Sequence, residues 1–135
     1  MTKPELLSLL STVKTIALVG ASQKNHRPSY EVMSFLQNKD FKIFPVNPSL
    51  AGQTILNEFV YASLDDLPEK VDMVEIFRNS EAAGETCAEV LALAKEKQPK
   101  VVWMQIGVIN EEAAKKLIEK GFTVVMDQCP KQLLS

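Results

Sequence analysis

Cysteine is scarce in this chain of 135 residues: Cys87 and Cys129 stand 42 positions apart, with no metal-ligand spacing and no disulfide framework. An excess of one charge sign is also missing. Fifteen Lys and Arg face 17 Asp and Glu, a net charge of −2, which speaks against nucleic-acid binding as the main activity. No apolar run approaches the ~20 residues that span a bilayer. The opening Met1-Thr2-Lys3-Pro4-Glu5 carries an acid and lacks the apolar region of a secretory signal. The expectation is a cytoplasmic protein with neither nucleic acid nor membrane as partner. Glycine is sparse too. Gly20, Gly52, Gly84, Gly107 and Gly121 are all there are, no two in one loop, so the G-x-G-x-x-G fingerprint of dinucleotide binding is absent.

What is present is an ordinary globular composition, 46% hydrophobic and 24% charged, in a length that suits one domain over 1–135. Thr2-Lys3-Pro4-Glu5 has capping-box spacing, and Leu6, Leu7, Leu10 and Val13 continue it at helical intervals. Thr15 to Val19 is a continuous apolar run that stops at Gly20, as expected of a strand buried on both faces. Val32, Met33, Phe35 and Leu36 mark a helix face. Phe41 to Val46 reads as a second strand, closed by Pro45-Val46-Asn47-Pro48, where the prolines predict an extended exit with no helix starting. Ser49 to Lys70 is irregular apart from a helical turn near Ser63–Asp66. Met73 to Phe77, Lys100 to Ile106 and Phe122 to Met126 are three more strands. The helices between them are expected to be capped by Ser80 and Asn110, the first running to about Lys97 and the second stopping at Gly121.

Alternating strands and helices with short connections predict a five-stranded, doubly wound parallel sheet of Rossmann type with helices on both faces. Ligands of such sheets lie at the carboxyl ends of the strands. That directs attention to Gly20–Tyr30, Pro45–Pro48, Phe77–Ser80, Gln105–Asn110 and Asp127–Pro130.

The first of these loops has no acid and carries Lys24, the sole histidine His26, and Arg27, one of only two arginines. Gly20 permits a sharp turn close to a phosphate, Ser22 offers a hydroxyl, and the following helix presents free amides to an anion. The other arginine, Arg78, falls in the third loop beside Phe77 and Asn79, and guanidinium favours phosphate. Asn47 stands where an NAD-binding strand would end in Asp or Glu. Trp103 reads as core. Gln105 and Gly107 are positioned to offer an amide and bare backbone to a ligand, with a satisfied buried amide as the alternative. Ser22 and His26 lack an acid that would orient the imidazole, and the pairs Asp65-Asp66 and Glu111-Glu112 read as helix-start charges. Cys129 could face the pocket or be an inert buried thiol.

Taken in order, Ile16–Ser22, Arg27-Pro28-Ser29-Tyr30, Pro45–Pro48, Val71–Val74, Phe77-Arg78, Trp103–Val108 and Asp127-Gln128-Cys129-Pro130 resemble the small stand-alone CoA-binding proteins. These are similar to the N-terminal domain of the succinyl-CoA synthetase alpha subunit. The resemblance covers about residues 12–131, preceded by the short N-terminal helix. It implies coenzyme A or an acyl-CoA across the carboxyl edge. Gly20, Ala21 and Ser22 would meet the pyrophosphate, with Lys24, Arg27, Pro28, Ser29 and Tyr30 beside it. Pro45, Val46, Asn47 and Pro48 would flank the adenosine, and Phe77, Arg78 and Asn79 the far side. Gln105, Gly107 and Cys129 would lie near the pantetheine. Gln128 replaces an arginine frequent in the family.

The synthetase also needs a phosphohistidine domain and a nucleotide-binding subunit, for which 135 residues leave no room. Three readings follow. The leading one is a non-catalytic CoA or acyl-CoA binder acting as sensor, carrier or regulatory subunit. The others are an enzyme subunit handling acyl-CoA through Cys129 or a partner chain, and an NAD(P)-binding redox module.

Overall fold

The structure, a computed structural model, describes residues Met1–Ser135. The chain opens on α1 (Lys3–Ser11), whose capping box is complete. Glu5 N donates to Thr2 Oγ1 at 3.3 Å, and Thr2 N donates to Glu5 Oε1 at 2.7 Å. β1 (Thr15–Val19), α2 (Pro28–Asn38) and β2 (Lys42–Val46) follow, then a small antiparallel hairpin of β3 (Thr54–Ile55) and β4 (Glu58–Phe59). β5 (Met73–Ile76), α3 (Ser80–Ala92), β6 (Val101–Met104), α4 (Glu111–Glu119), β7 (Thr123–Val125) and α5 (Pro130–Leu134) complete it. No helix is long and apolar enough to cross a membrane.

The main sheet is parallel throughout, in the order β2-β1-β5-β6-β7. The fold is therefore a Rossmann-like α/β domain, as the alternation predicted. The chain leaves β1 toward β2 on one side and resumes at β5 on the other, so the switch point lies between β1 and β5. One face buries Ile16, Leu18, Met73, Val101 and Trp103 against Leu6, Leu10, Val32, Met33 and Leu36 of α1 and α2. The opposite face buries Ala17, Val19, Val74, Ile76, Val102 and Met104 against Ala83, Cys87, Val90 and Leu117 of α3 and α4. At the amino edge, Asp72 Oδ2 accepts from Lys14 N at 2.8 Å and Thr15 N at 3.2 Å, joining the starts of β1 and β5.

Several local expectations are corrected. A 3-10 turn does start after β2, at Pro48–Leu50, because proline is excluded from helix interiors but suits a first position. Asn47 caps it, its Oδ1 accepting from Ser49 N at 2.9 Å. Pro45 lies within β2, as the strand reading of Phe41 to Val46 had it. Its carbonyl points outward to Tyr61 N, so the missing N–H falls on the outer side of an edge strand. Asn79, not Ser80, caps α3 by accepting from Ala82 N at 2.8 Å, and α3 ends at Ala92, well short of Lys97. Four strands are one to three residues shorter than read. The β3–β4 hairpin and α5 had no counterpart in the sequence reading.

Candidate functional site

The loop after β1 begins with Gly20 at φ +91, where a Cβ would lie 2.2 Å from Phe77 O. Only glycine fits between the ends of β1 and β5. The Gly20 and Ala21 amides are taken by Val46 O, whereas those of Ser22, Gln23 and Ser29 have no backbone partner. Ser22 Oγ accepts from Lys24 N at 3.1 Å, which leaves the hydroxyl proton free to donate outward. Asn47 Nδ2 donates to Ala21 O at 2.9 Å and ties this loop to the exit of β2. These groups line a cleft of about 420 Å³ with the exposed cations Lys24 and Arg27 beside it. Its donors are unsatisfied amides, a hydroxyl and two positive charges, a set suited to phosphate.

A second cleft of about 610 Å³ adjoins the first, sharing Pro28 and Phe77. Val32 of α2, Gln105 and Ile106 after β6, and Cys129 before α5 contribute to its wall, with Arg78 and Lys131 adding charge. Arg78 is not free: Nη1 donates to Thr86 Oγ1 at 3.1 Å and Ala82 O at 3.3 Å, holding the guanidinium against α3. Gln105 Oε1 is buried without a partner, as are both carboxylate oxygens of Glu75 on β5. Burial pushes the Glu75 carboxyl up to about 8.

Most of the expected site residues converge on this edge. Gly20, Ala21, Ser22, Lys24, Arg27, Pro28, Ser29, Asn47 and Phe77 line the smaller cleft, and Arg78, Asn79, Gln105 and Cys129 the larger. Val46 and Pro48 border an adjoining recess that also reaches Gly20 and Arg78. Tyr30, Pro45 and Gly107 line none of these. Tyr30 packs against the α1/α2 core, and Gly107 N donates to Asp127 Oδ1 at 2.7 Å. His26 is exposed on the loop, and Trp103 is fully buried with Nε1 donating to Gln128 O. The sequence reading missed Gln23, Ser49 and Leu50 in the smaller cleft and Glu31, Val32 and Lys131 in the larger. Lys131 was legible in principle, because Pro130 is a preferred first helical residue. Glu75 was legible as an acid inside the apolar run Met73–Phe77.

A third cavity, about 560 Å³, lies between α3 and α4, lined by Gly84, Cys87, Ala88, Leu91 and Ala113 among others. It is away from the strand ends, and burial pushes its thiol, Cys87, up to about 11. The carboxyl edge at the switch point is the stronger candidate.

Residues 14–135 match the family described as CoA binding domain. The chain belongs to that family. Its relatives span two sizes. The uncharacterized protein YneT of Bacillus subtilis is 37% identical over 129 residues, covering 96% of this chain and 91% of that one. The ADP-forming acetate–CoA ligase II of Archaeoglobus fulgidus is 34% identical over 90 residues, which are 65% of this chain but 13% of the ligase. Among solved structures, cell-free ID.343 from Thermus thermophilus superposes with a TM-score of 0.90 at 37% identity, covering 99% of this chain and 97% of that one. A hypothetical protein from Pyrococcus horikoshii OT3 gives 0.89 at 32% identity, covering 98% and 89%. The chain is thus similar over nearly its whole length to one relative and, in the ligase, to a stretch within a much larger protein.

Proposed function

We propose that the chain binds coenzyme A or an acyl-CoA at the carboxyl edge of its sheet, and that its own residues supply binding without catalysis. The role is that of a sensor, carrier or regulatory subunit. The observation that carries this reading is the pair of adjoining clefts, one cationic and rich in free donors, the other larger and partly apolar. Membership of the CoA-binding family supports it.

The donor set fits the proposed ligand. Ser22, Gln23 and Ser29 amides, the Ser22 hydroxyl, Lys24 and Arg27 would hold the pyrophosphate. Gly20 keeps the backbone low enough for the approach. The larger cleft would take the pantetheine arm along Phe77, Gln105 and Cys129. Bound CoA would contribute a thiol for acyl transfer. The chain's part is to orient it and to shield it from water. No base with an orienting acid adjoins the cleft, since His26 is exposed and stands without one.

A second reading, acyl handling through Cys129, has in its favour that this thiol is buried in the wall of the larger cleft. Iodoacetamide labelling separates the two: acyl handling requires a Cys129 that reacts and is protected by CoA.

Thermal unfolding with CoA, dephospho-CoA and NAD tests the main reading. CoA at 100 times its dissociation constant is expected to stabilise the fold by about 2.7 kcal/mol. Dephospho-CoA is expected to give less, and Arg27→Ala to reduce the CoA effect. Stabilisation by NAD with none by CoA would overturn it.

A further inference from the structure

Three buried polar side-chain atoms have no hydrogen-bond partner: Glu75 Oε1, Glu75 Oε2 and Gln105 Oε1. They belong to one place. Glu75 pairs in register with Trp103 of β6, and Gln105 lies two residues beyond Trp103, on the same face of the sheet. Such diagonal neighbours stand about 7–8 Å apart at Cα, within reach of two long side chains. Gln105 also lines the larger cleft.

If Glu75 were ionised, its two oxygens and Gln105 Oε1 would be three buried acceptors with no donor among them while Gln105 Nε2 faces the cleft, which is costly in a buried site. Nothing nearby relieves it. The register partners of Glu75 are Leu18 and Trp103, and α2 lays Val32 and Met33 over this face. The ionisable groups of the covering helices, Lys3 and Glu5 on α1, Tyr30 and Glu31 on α2 and Lys131 on α5, are not buried. Cys129 is the one buried titratable neighbour at the start of α5. A proton on Glu75 turns one of the three acceptors into a donor, which can be shared with Gln105 Oε1.

We propose that Glu75 is a positioning residue of the larger cleft: its protonated carboxyl donates to Gln105 Oε1 and turns Gln105 Nε2 toward the cleft. The amide then presents its two N–H groups in a fixed direction, suited to a carbonyl or other oxygen acceptor of the ligand. The neutral state agrees with the carboxyl being pushed up to about 8 by burial. The bond itself is independent of the ligand, while its use rests on the CoA reading.

Three variants test it. Glu75→Gln keeps a neutral donor, Glu75→Leu removes the donor at similar volume, and Gln105→Leu removes the acceptor. In the ligand-free protein, the Gln105 side-chain amide resonances are expected to move in Glu75→Leu and to stay close to wild type in Glu75→Gln. Resonances unchanged in both would overturn the bond. Calorimetry with CoA is expected to give about fivefold weaker binding for Glu75→Leu, near wild-type binding for Glu75→Gln, and no further loss when Glu75→Leu is added to Gln105→Leu. Losses that add would overturn the positioning role. Wild type binding no CoA would strike the ligand reading, and the amide resonances would still decide the bond.

Discussion

Gly20 concentrates three demands in one residue: a left-handed backbone, contact with Phe77 O where a Cβ would sit, and the floor of the smaller cleft. Gly20→Ala is therefore expected to lose about 2–4 kcal/mol of stability in urea unfolding and to weaken CoA binding with it. Glu75 makes a different prediction. The folded protein keeps its proton up to about pH 8, while the unfolded chain releases it near 4.5. Between those values the folded state binds more protons, so stability falls as pH rises, by at most roughly 1.4 kcal/mol per pH unit. Urea unfolding at several pH values is expected to yield a flatter profile for Glu75→Gln than for wild type; identical profiles would contradict the buried acid. Gly20 and Trp103 were legible because strand ends and apolar runs leave local marks. The engagement of Arg78 by Thr86 and Ala82 was not, because it depends on how α3 returns over the strand.

At the scale of elements, capping chemistry explains both the successes and the misses. Asn110 was read correctly as a helix start and does two things: Oδ1 accepts from Ala113 N at 3.0 Å, and Nδ2 donates to Ser80 O at 3.0 Å. Asn110→Ala is expected to cost about 1–2 kcal/mol by thermal unfolding, and Asn110→Asp, which keeps the cap alone, less. For α3, adjacent Asn79 and Ser80 are both good caps, and the sequence pattern was read as favouring Ser80. The structure gives the cap to Asn79 and turns Ser80 Oγ to Ile109 N at 3.0 Å, joining the loops after β5 and β6. The β3–β4 hairpin escaped notice because each strand has two residues and its turn uses Leu56 and Asn57 at positive φ, only the second of which is a usual turn residue. α5 escaped because five residues show too little periodicity to read.

For the whole molecule, the alternation of elements was enough to predict a parallel sheet with two helical layers, and hence the edge at which to look. Strand order was not predicted. The order β2-β1-β5-β6-β7 puts the switch point beside Gly20 and Phe77 and brings loops from both sides of β1 together. A net charge of −2 hides the fact that Lys24 and Arg27 sit on that edge, by the free amides. The central claim is that CoA binds there, across both clefts. Backbone amide spectra recorded during titration with CoA test it directly. The account predicts that Ser22, Gln23 and Ser29 shift together with Gln105 and Cys129, while Gly84, Cys87 and Ala113 of the α3–α4 cavity stay fixed. Shifts confined to that cavity, or no shift with saturating CoA, would contradict it.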